Sequence, residues 1–181
     1  MEIYRIAPEA SVYYVTYSIV EWLPVFVSEP AFQVVTQSLR YCHDNKGLRV
    51  NAYVIMPTHL HAIVFHAEHD TELLSSALDD FRRFTGRALL DFAESHMPAV
   101  FSQVFRDAAG PDRARRFWQP TRHPVAIQSQ NFWRSKLDYL HDNPCRKGLV
   151  RYPVDWRYSS ARYYGGAVNA VDEVLVTELE W

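Results

Sequence analysis

The order of strand-like and helix-like runs is what most limits the folds open to this chain of 181 residues. Residues 12–20 are rich in tyrosine and β-branched side chains, as a strand favours. Residues 29–43 carry Phe32, Val35 and Leu39 at helical spacing, and Asn45, Lys46 and Gly47 end that run. Two more strand-like runs, 49–56 and 59–66, are separated only by Pro57 and Thr58. Proline cannot donate to a sheet ladder, so a turn, bend or bulge falls there. Residues 73–92 predict a longer amphipathic helix, with Leu74, Leu78, Phe81, Ala88 and Phe92 as its buried stripe. Residues 100–105 and 115–118 read as short strands flanking a turn-forming cluster at 109–112. Residues 131–143 predict a second strong helix, stopped by Pro144, and a Tyr-, Trp- and Ser-rich tail follows from about 151. This order predicts a single α+β domain over 1–181, an antiparallel sheet packed by two main helices.

Composition narrows the function classes. A hydrophobic content of 48% supplies a core, and a chain of this size buries roughly 70% of its unfolded surface without help from metal or disulfide. Cys42 and Cys145 make neither a disulfide framework nor paired zinc-ligand spacing, which predicts a reduced, cytoplasmic protein. The first ten residues lack the basic-then-apolar order of a signal peptide. The best apolar run, 12–20, is too short and too polar for a bilayer that needs ~20 residues, so no membrane partner is expected. Net charge is −2, from 19 basic against 21 acidic residues, so any case for nucleic acid must rest on local clusters.

Two features carry chemistry. In His59-Leu60-His61, at the start of a strand-like run, alternation turns both imidazoles to one face and Leu60 to the other. Two neutral imidazoles side by side are half of a metal site, although the same spacing also fits two half-buried histidines. In the helix 131–143, Trp133, Leu137 and Leu140 form an apolar stripe, while Lys136, Tyr139 and Asn143 form a neighbouring one. A cation, a phenol and an amide on one face read as a site. The competing reading is a core tyrosine, in a chain with eleven of them, followed by a helix-terminal asparagine.

Taken together, Tyr53-Val-Ile-Met-Pro-Thr-His-Leu-His-Ala-Ile-Val64 and Lys136-Leu-Asp-Tyr-Leu-His-Asp-Asn-Pro-Cys-Arg-Lys-Gly-Leu-Val150 resemble the motifs of the REP-associated tyrosine transposases, within the single-tyrosine HUH (His-hydrophobe-His) class. Phe117-Trp118-Gln119-Pro120 and Trp156-Arg-Tyr-Ser-Ser160 extend the resemblance, which covers roughly residues 12–164. It implies a ferredoxin-like α+β fold of the HUH-nuclease type and cleavage of single-stranded DNA beside a hairpin, a REP-like palindrome. It implies that His59, His61 and Asn143 bind a divalent metal, Mg2+ or Mn2+, and that Tyr139 is the nucleophile. Thr58 stands where the family has Asn, and Cys145 where it has Val. Family members occur as monomers and as dimers, so the chain is expected to be one or the other.

A phenol of pKa near ~10 needs help to attack, and Lys136, one turn earlier, is placed to favour the phenolate. For DNA, Arg82, Arg83 and Arg87 lie on the long helix and Arg113, Arg115 and Arg116 follow the 109–112 turn, interleaved with Phe81, Phe84, Phe117 and Trp118. Arg146 and Lys147 add a basic pair after the tyrosine motif. These clusters also fit a solvated helix face and a charged loop. A zinc deaminase is excluded, because Gly148 stands where the second cysteine of Pro-Cys-x-x-Cys belongs. A zinc hydrolase using His59, His61 and His123 lacks the His-Glu-x-x-His spacing. The alternative of a different class is a domesticated protein that binds DNA hairpins without transposing.

Overall fold

The computed structural model describes residues 11–111, 113–120, 124–166 and 174–180. The signal-peptide reading of residues 1–10, Asp112 of the expected turn, and His123 fall outside them. Four strands, β1 (Val12–Ser18), β2 (Leu48–Met56), β3 (His59–His66) and β4 (Val125–Ala126), form one sheet in the order β2-β3-β1-β4, every pair antiparallel. The helix α1 (Glu29–Lys46) links β1 to β2, and α2 (Thr71–His96) follows β3. This is the ferredoxin-like arrangement that the sequence resemblance implies. Pro57 and Thr58 make the two-residue turn of the β2–β3 hairpin, closed by the pair Met56 and His59. Proline in such a turn gives up no ladder bond. Its carbonyl and that of Thr58 accept from the amides of Phe26 and Ile19.

The helix ends follow local chemistry. Asp70 caps α2, its carboxylate accepting from the amides of Glu72 and Leu73 at 2.8 Å each. Gly47 ends α1 at φ 65°, and a Cβ there would lie 2.4 Å from His66 Nε2. Only glycine fits both constraints.

Helices α1 and α2 pack on one sheet face over Tyr13, Val15, Tyr17, Leu60, Ala62 and Val64. The opposite face carries Val12, Tyr14, Val54, Met56, Ile63 and Phe65, and is covered by α4 (Gln130–Arg146) through Leu137 and Leu140. In α2, Leu74, Leu78 and Phe81 are buried as expected, while Ala88 and Phe92 are half-buried and Leu89, Leu90 and Ala93 complete the stripe. Within β2, Asn51 is an extra residue between the pairs Val50–Val64 and Ala52–Ile63. It is buried, its Oδ1 accepts from Trp133 Nε1 at 2.7 Å, and its Nδ2 donates to the carbonyl of Thr177 at 3.0 Å. Its own carbonyl accepts from the Tyr164 hydroxyl at 3.0 Å.

Three expectations are corrected. Residues 100–105 form no strand but the helix α3 (Ala99–Asp107), begun by Pro98. Valine and phenylalanine content suggests a strand there. Yet Phe101 and Phe105, four apart, share a helical face, and only Phe105 is buried, against Phe117 at 5.5 Å. Residues 115–118 contribute a single bridge, Trp118 to Ile19, because the Arg116 amide donates instead to the Phe105 carbonyl at the end of α3. Pro144 does not stop its helix, which runs on to Arg146. In the last turn the missing N–H removes one bond, while the Pro144 carbonyl still accepts from Leu149.

The tail closes the β2 edge. The Ile55 amide donates to the Tyr158 carbonyl, the Ser160 amide to the Tyr53 carbonyl, and the Thr177 amide to the Val50 carbonyl. The Tyr53 amide donates to Ser160 Oγ at 2.9 Å. An edge strand left bare would be a template for aggregation. Among the described residues no helix is long and apolar enough to cross a membrane.

Candidate active site

The strand β3 turns His59 and His61 to the α4 face and buries Leu60 in the opposite core. The two rings lie 4.7 Å apart at 72°. Each Nδ1 is taken by a threonine hydroxyl. Thr58 Oγ1 lies 2.9 Å from that of His59, and Thr16 Oγ1, across the ladder on β1, lies 2.7 Å from that of His61. Such partners fix ring orientation and leave Nε2 as the ligating atom. Burial, with Lys147 nearby, lowers the His59 pKa to about 4. Burial, then His59 and Lys136, lowers that of His61 to about 3. Both rings are therefore neutral at pH 7, the state that offers a lone pair.

Tyr139 stands across from this pair. Its ring lies 6.0 Å from that of His61, and it remains 43% exposed while Leu137 and Leu140 anchor the helix. The Arg146 guanidinium sits 5.0 Å over the Tyr139 ring. Asn143, one turn on, is buried, and its Nδ2 donates a long 3.4 Å bond to the Tyr139 carbonyl, leaving the amide oxygen for other work. Residues 139, 143 and 147 share one face. The ring contact of Tyr139 with His61 and the charge effect of Lys147 on His59 show that this face meets the histidines.

Lys136 sits elsewhere. Its Nζ lies over the rings of Tyr14, at 5.1 Å, and Phe132, at 5.2 Å, and its field falls on His61. Tyr14 is the intermediary. Its ring stacks on His61 at 5.3 Å, and its hydroxyl is buried close to that of Thr16. Burial foremost, then Tyr139, raises the Tyr14 pKa, and the nearby Thr16 hydroxyl tempers the rise. The sequence reading missed Tyr14 and Thr16. Their shared parity on β1 was the available signal, but only the β1–β3 register brings them beside His61. It also missed Trp22, whose ring meets that of His59 at 5.6 Å and 79°.

The arginines expected to bind DNA converge in part. Arg82, Arg83 and Arg87 of α2 and Arg113, Arg115 and Arg116 line one cleft of about 700 Å³, floored by Phe117 and Trp118. Several are already engaged. Arg115 bonds Glu94 at 2.7 Å and Asp91 at 3.0 Å, Arg83 pairs with Asp80 at 3.4 Å, and Arg82 donates to the Gln119 carbonyl. The cleft lies on the α2 side of the sheet, away from Tyr139. Just beyond it the Gln119 amide donates to the Ser18 carbonyl, and Ser18 pairs with His59 across the ladder. Arg146 stays with Tyr139 and Lys147 acts on His59; neither lines the cleft. Among the described residues no group of three or more His, Cys, Asp or Glu is placed to hold a metal ion. The two imidazoles lie side by side there, and Asn143 is buried on the α4 face that meets them.

No protein-family model matches the chain. It is 25% identical over 129 residues to the REP-associated tyrosine transposase of Escherichia coli K12, a match spanning 71% of this chain and 64% of that protein. It therefore covers just under two-thirds of that relative's length. A solved REP-associated tyrosine transposase bound to a REP hairpin superposes with a TM-score of 0.67 at 17% identity, covering 100% of this chain and 95% of the other. A putative transposase from Deinococcus radiodurans gives a TM-score of 0.43 at 17% identity, over 78% of this chain and 97% of that one.

Proposed function

We propose that this chain, which is similar to REP-associated tyrosine transposases in sequence and in fold, cleaves and rejoins single-stranded DNA through Tyr139. One observation carries the reading: a half-exposed phenol 6.0 Å from one of two neutral, threonine-oriented histidines, with a buried asparagine one turn further on. The donor set fits a divalent cation, Mg2+ or Mn2+. His59 Nε2, His61 Nε2 and the Asn143 amide oxygen would hold it with coordination positions left over. Bound there, the ion supplies Lewis-acid polarisation of a non-bridging phosphate oxygen.

The chain's own residues do the rest. Tyr139 Oη loses its proton and forms a bond to phosphorus. The bond to the 3′ oxygen breaks, and that oxygen leaves with the electron pair and takes a proton. One fragment ends as a 3′-hydroxyl and the other as a 5′-phosphotyrosine. One phosphodiester replaces another, so the step reverses on a new 3′ end without ATP. Arg146, stacked over the Tyr139 ring, places positive charge where phenolate forms. Lys136 acts on the site through Tyr14 and His61.

A second reading, hairpin binding without transposition, is favoured by the arginine cleft, a binding surface separate from Tyr139. One gel separates the two. Single-stranded DNA from the flanks of the chain's own gene, labelled 3′ of the cut, should migrate with the denatured protein, and Tyr139→Phe should abolish that adduct. Hydrolysis without an adduct, or an adduct on another tyrosine, removes Tyr139 as nucleophile. Binding without cleavage leaves the second reading standing.

A further inference from the structure

After β1 the chain makes a tight turn that no glycine assists. Glu21 and Trp22 follow one another at φ 50° and 53°, in the left-handed region that side chains resist. The turn is pinned on both sides. The Ile19 amide donates to the Thr58 carbonyl, the Val20 amide to Phe117, and the Phe26 amide to Pro57, while Gln119 Nε2 donates to the Ile19 carbonyl. Ile19, Val20, Val25 and Phe26 are all buried. Strained backbone persists where surrounding structure enforces it, and it clusters at functional sites. Here it delivers a large aromatic ring to solvent: Trp22 is 54% exposed, and its ring meets that of His59 nearly perpendicularly.

The direction of the site follows from the order of its rings. Trp22 meets His59 at 5.6 Å, His59 meets His61 at 4.7 Å, and His61 meets Tyr139 at 6.0 Å. Trp22 and Tyr139 are thus the first and last rings in this series of contacts, with the histidines between them. In phosphoryl transfer the attacking and leaving oxygens lie roughly in line through phosphorus. With Tyr139 attacking from one end, the leaving 3′ oxygen and its nucleotide lie toward the other. We propose that Trp22 is the stacking platform for the nucleobase on the 5′ side of the cleaved bond, the nucleotide that departs with the 3′-hydroxyl. An open indole face beside a phosphate site suits any base, because every base presents a π-face. Stacking there keeps the freed 3′ end beside the phosphotyrosine, where it can reattack or give way to another strand. This inference rests on cleavage through Tyr139, as proposed above.

The test measures binding of an uncleaved single strand carrying the mapped cut site, in a Tyr139→Phe background. Trp22→Ala should weaken binding about 5- to 150-fold, the range for one base–aromatic stack, and Trp22→Phe should restore most of it. An abasic residue on the 5′ side of the cut should weaken binding to the Trp22 protein by a similar factor. It should add nothing to the Trp22→Ala loss, whereas an abasic residue on the 3′ side should weaken both proteins equally. Unchanged affinity in Trp22→Ala, or losses from Trp22→Ala and the 5′ abasic residue that multiply, overturns the stacking role. The two readings fail separately. If the Trp22, Tyr139 protein forms no adduct with any strand, cleavage falls and this inference with it; if it forms the adduct and Trp22→Ala binds unchanged, only this inference falls.

Discussion

The two faces of the sheet are built from the same strands and serve opposite ends. On the α1/α2 face Phe26, Phe81, Phe117 and Trp118 interlock, and even the polar atoms close on one another, Trp118 Nε1 donating to Thr85 Oγ1 at 3.1 Å. On the α4 face the apolar packing of Val54 and Met56 on β2 gives way to polar groups on β3 and β1. There the side chains are His59, His61, a buried Tyr14 hydroxyl and a half-exposed Tyr139. Strand alternation alone separates these roles, since Leu60 lies between the two histidines and belongs to the other core. A sheet can therefore carry stability on one side and reactive groups on the other within consecutive residues.

The largest expected effect tests that division directly. Phe81→Ala on the packed face should lose about 3–5 kcal/mol in urea unfolding. Tyr139→Phe should change stability by no more than about 0.5 kcal/mol, since its hydroxyl lies on an exposed face, while the DNA adduct disappears. Comparable stability losses in the two variants would break the comparison.

Acid should act through the α4 side. His141 of α4, bonded through Nε2 to Ser160 Oγ at 2.8 Å, has its pKa lowered to about 4 by burial. Above the ordinary value near 6.5 it is neutral folded and unfolded, and stability is complete. Between 6.5 and 4 the unfolded chain takes up a proton that the folded chain refuses, so stability falls as pH falls and levels off below 4. From pH 7 to pH 5 this amounts to roughly 2 kcal/mol for this one histidine. His141→Gln should flatten the pH dependence of the urea midpoint by that much; parallel curves would mean that the imidazole is not held neutral.

The smallest effect belongs to the outer side of α2. Arg83→Ala and Arg87→Ala sit in the cleft without supporting a core, and should leave stability within about 0.5 kcal/mol. If these arginines neutralise phosphates, each substitution should lower the slope of log affinity against log salt by ~0.7 on single strands. An unchanged slope would make the cleft a solvated face like any other.

What the sequence makes legible is what depends on local periodicity. The facing histidines, the Tyr139–Asn143 stripe and the helical runs over 29–43, 73–92 and 131–143 all follow from counting residues. Register is another matter. Tyr14 and Thr16 reach His61 only because β1 pairs with β3 at Thr16 and His61, forty-five residues apart, and no local pattern states that pairing. Lys136 sits one turn before Tyr139, yet the nearby Tyr14 and Phe132 rings draw its ammonium aside. The turn at Glu21 and Trp22 carries no glycine or asparagine to announce left-handed backbone. In α3, composition suggests strand while spacing says helix, and spacing prevails.

Asn51 shows how such a face-sorted strand can change over evolutionary time. Leu48 and Val50 serve the α1/α2 core, and so do Tyr53 and Ile55, although two and four residues from Val50 would be Ala52 and Val54. The ladder skips one residue and resumes in phase. Loss of the one codon at this point would therefore re-sort no side chain downstream, and the histidine face would keep its neighbours. Freed from pairing, the surplus residue became a fastener: three segments encoded 82 to 126 positions later, at Trp133, Tyr164 and Thr177, all tie to it. A position that looks dispensable to the strand is thus the one on which three distant segments of the later chain are fastened.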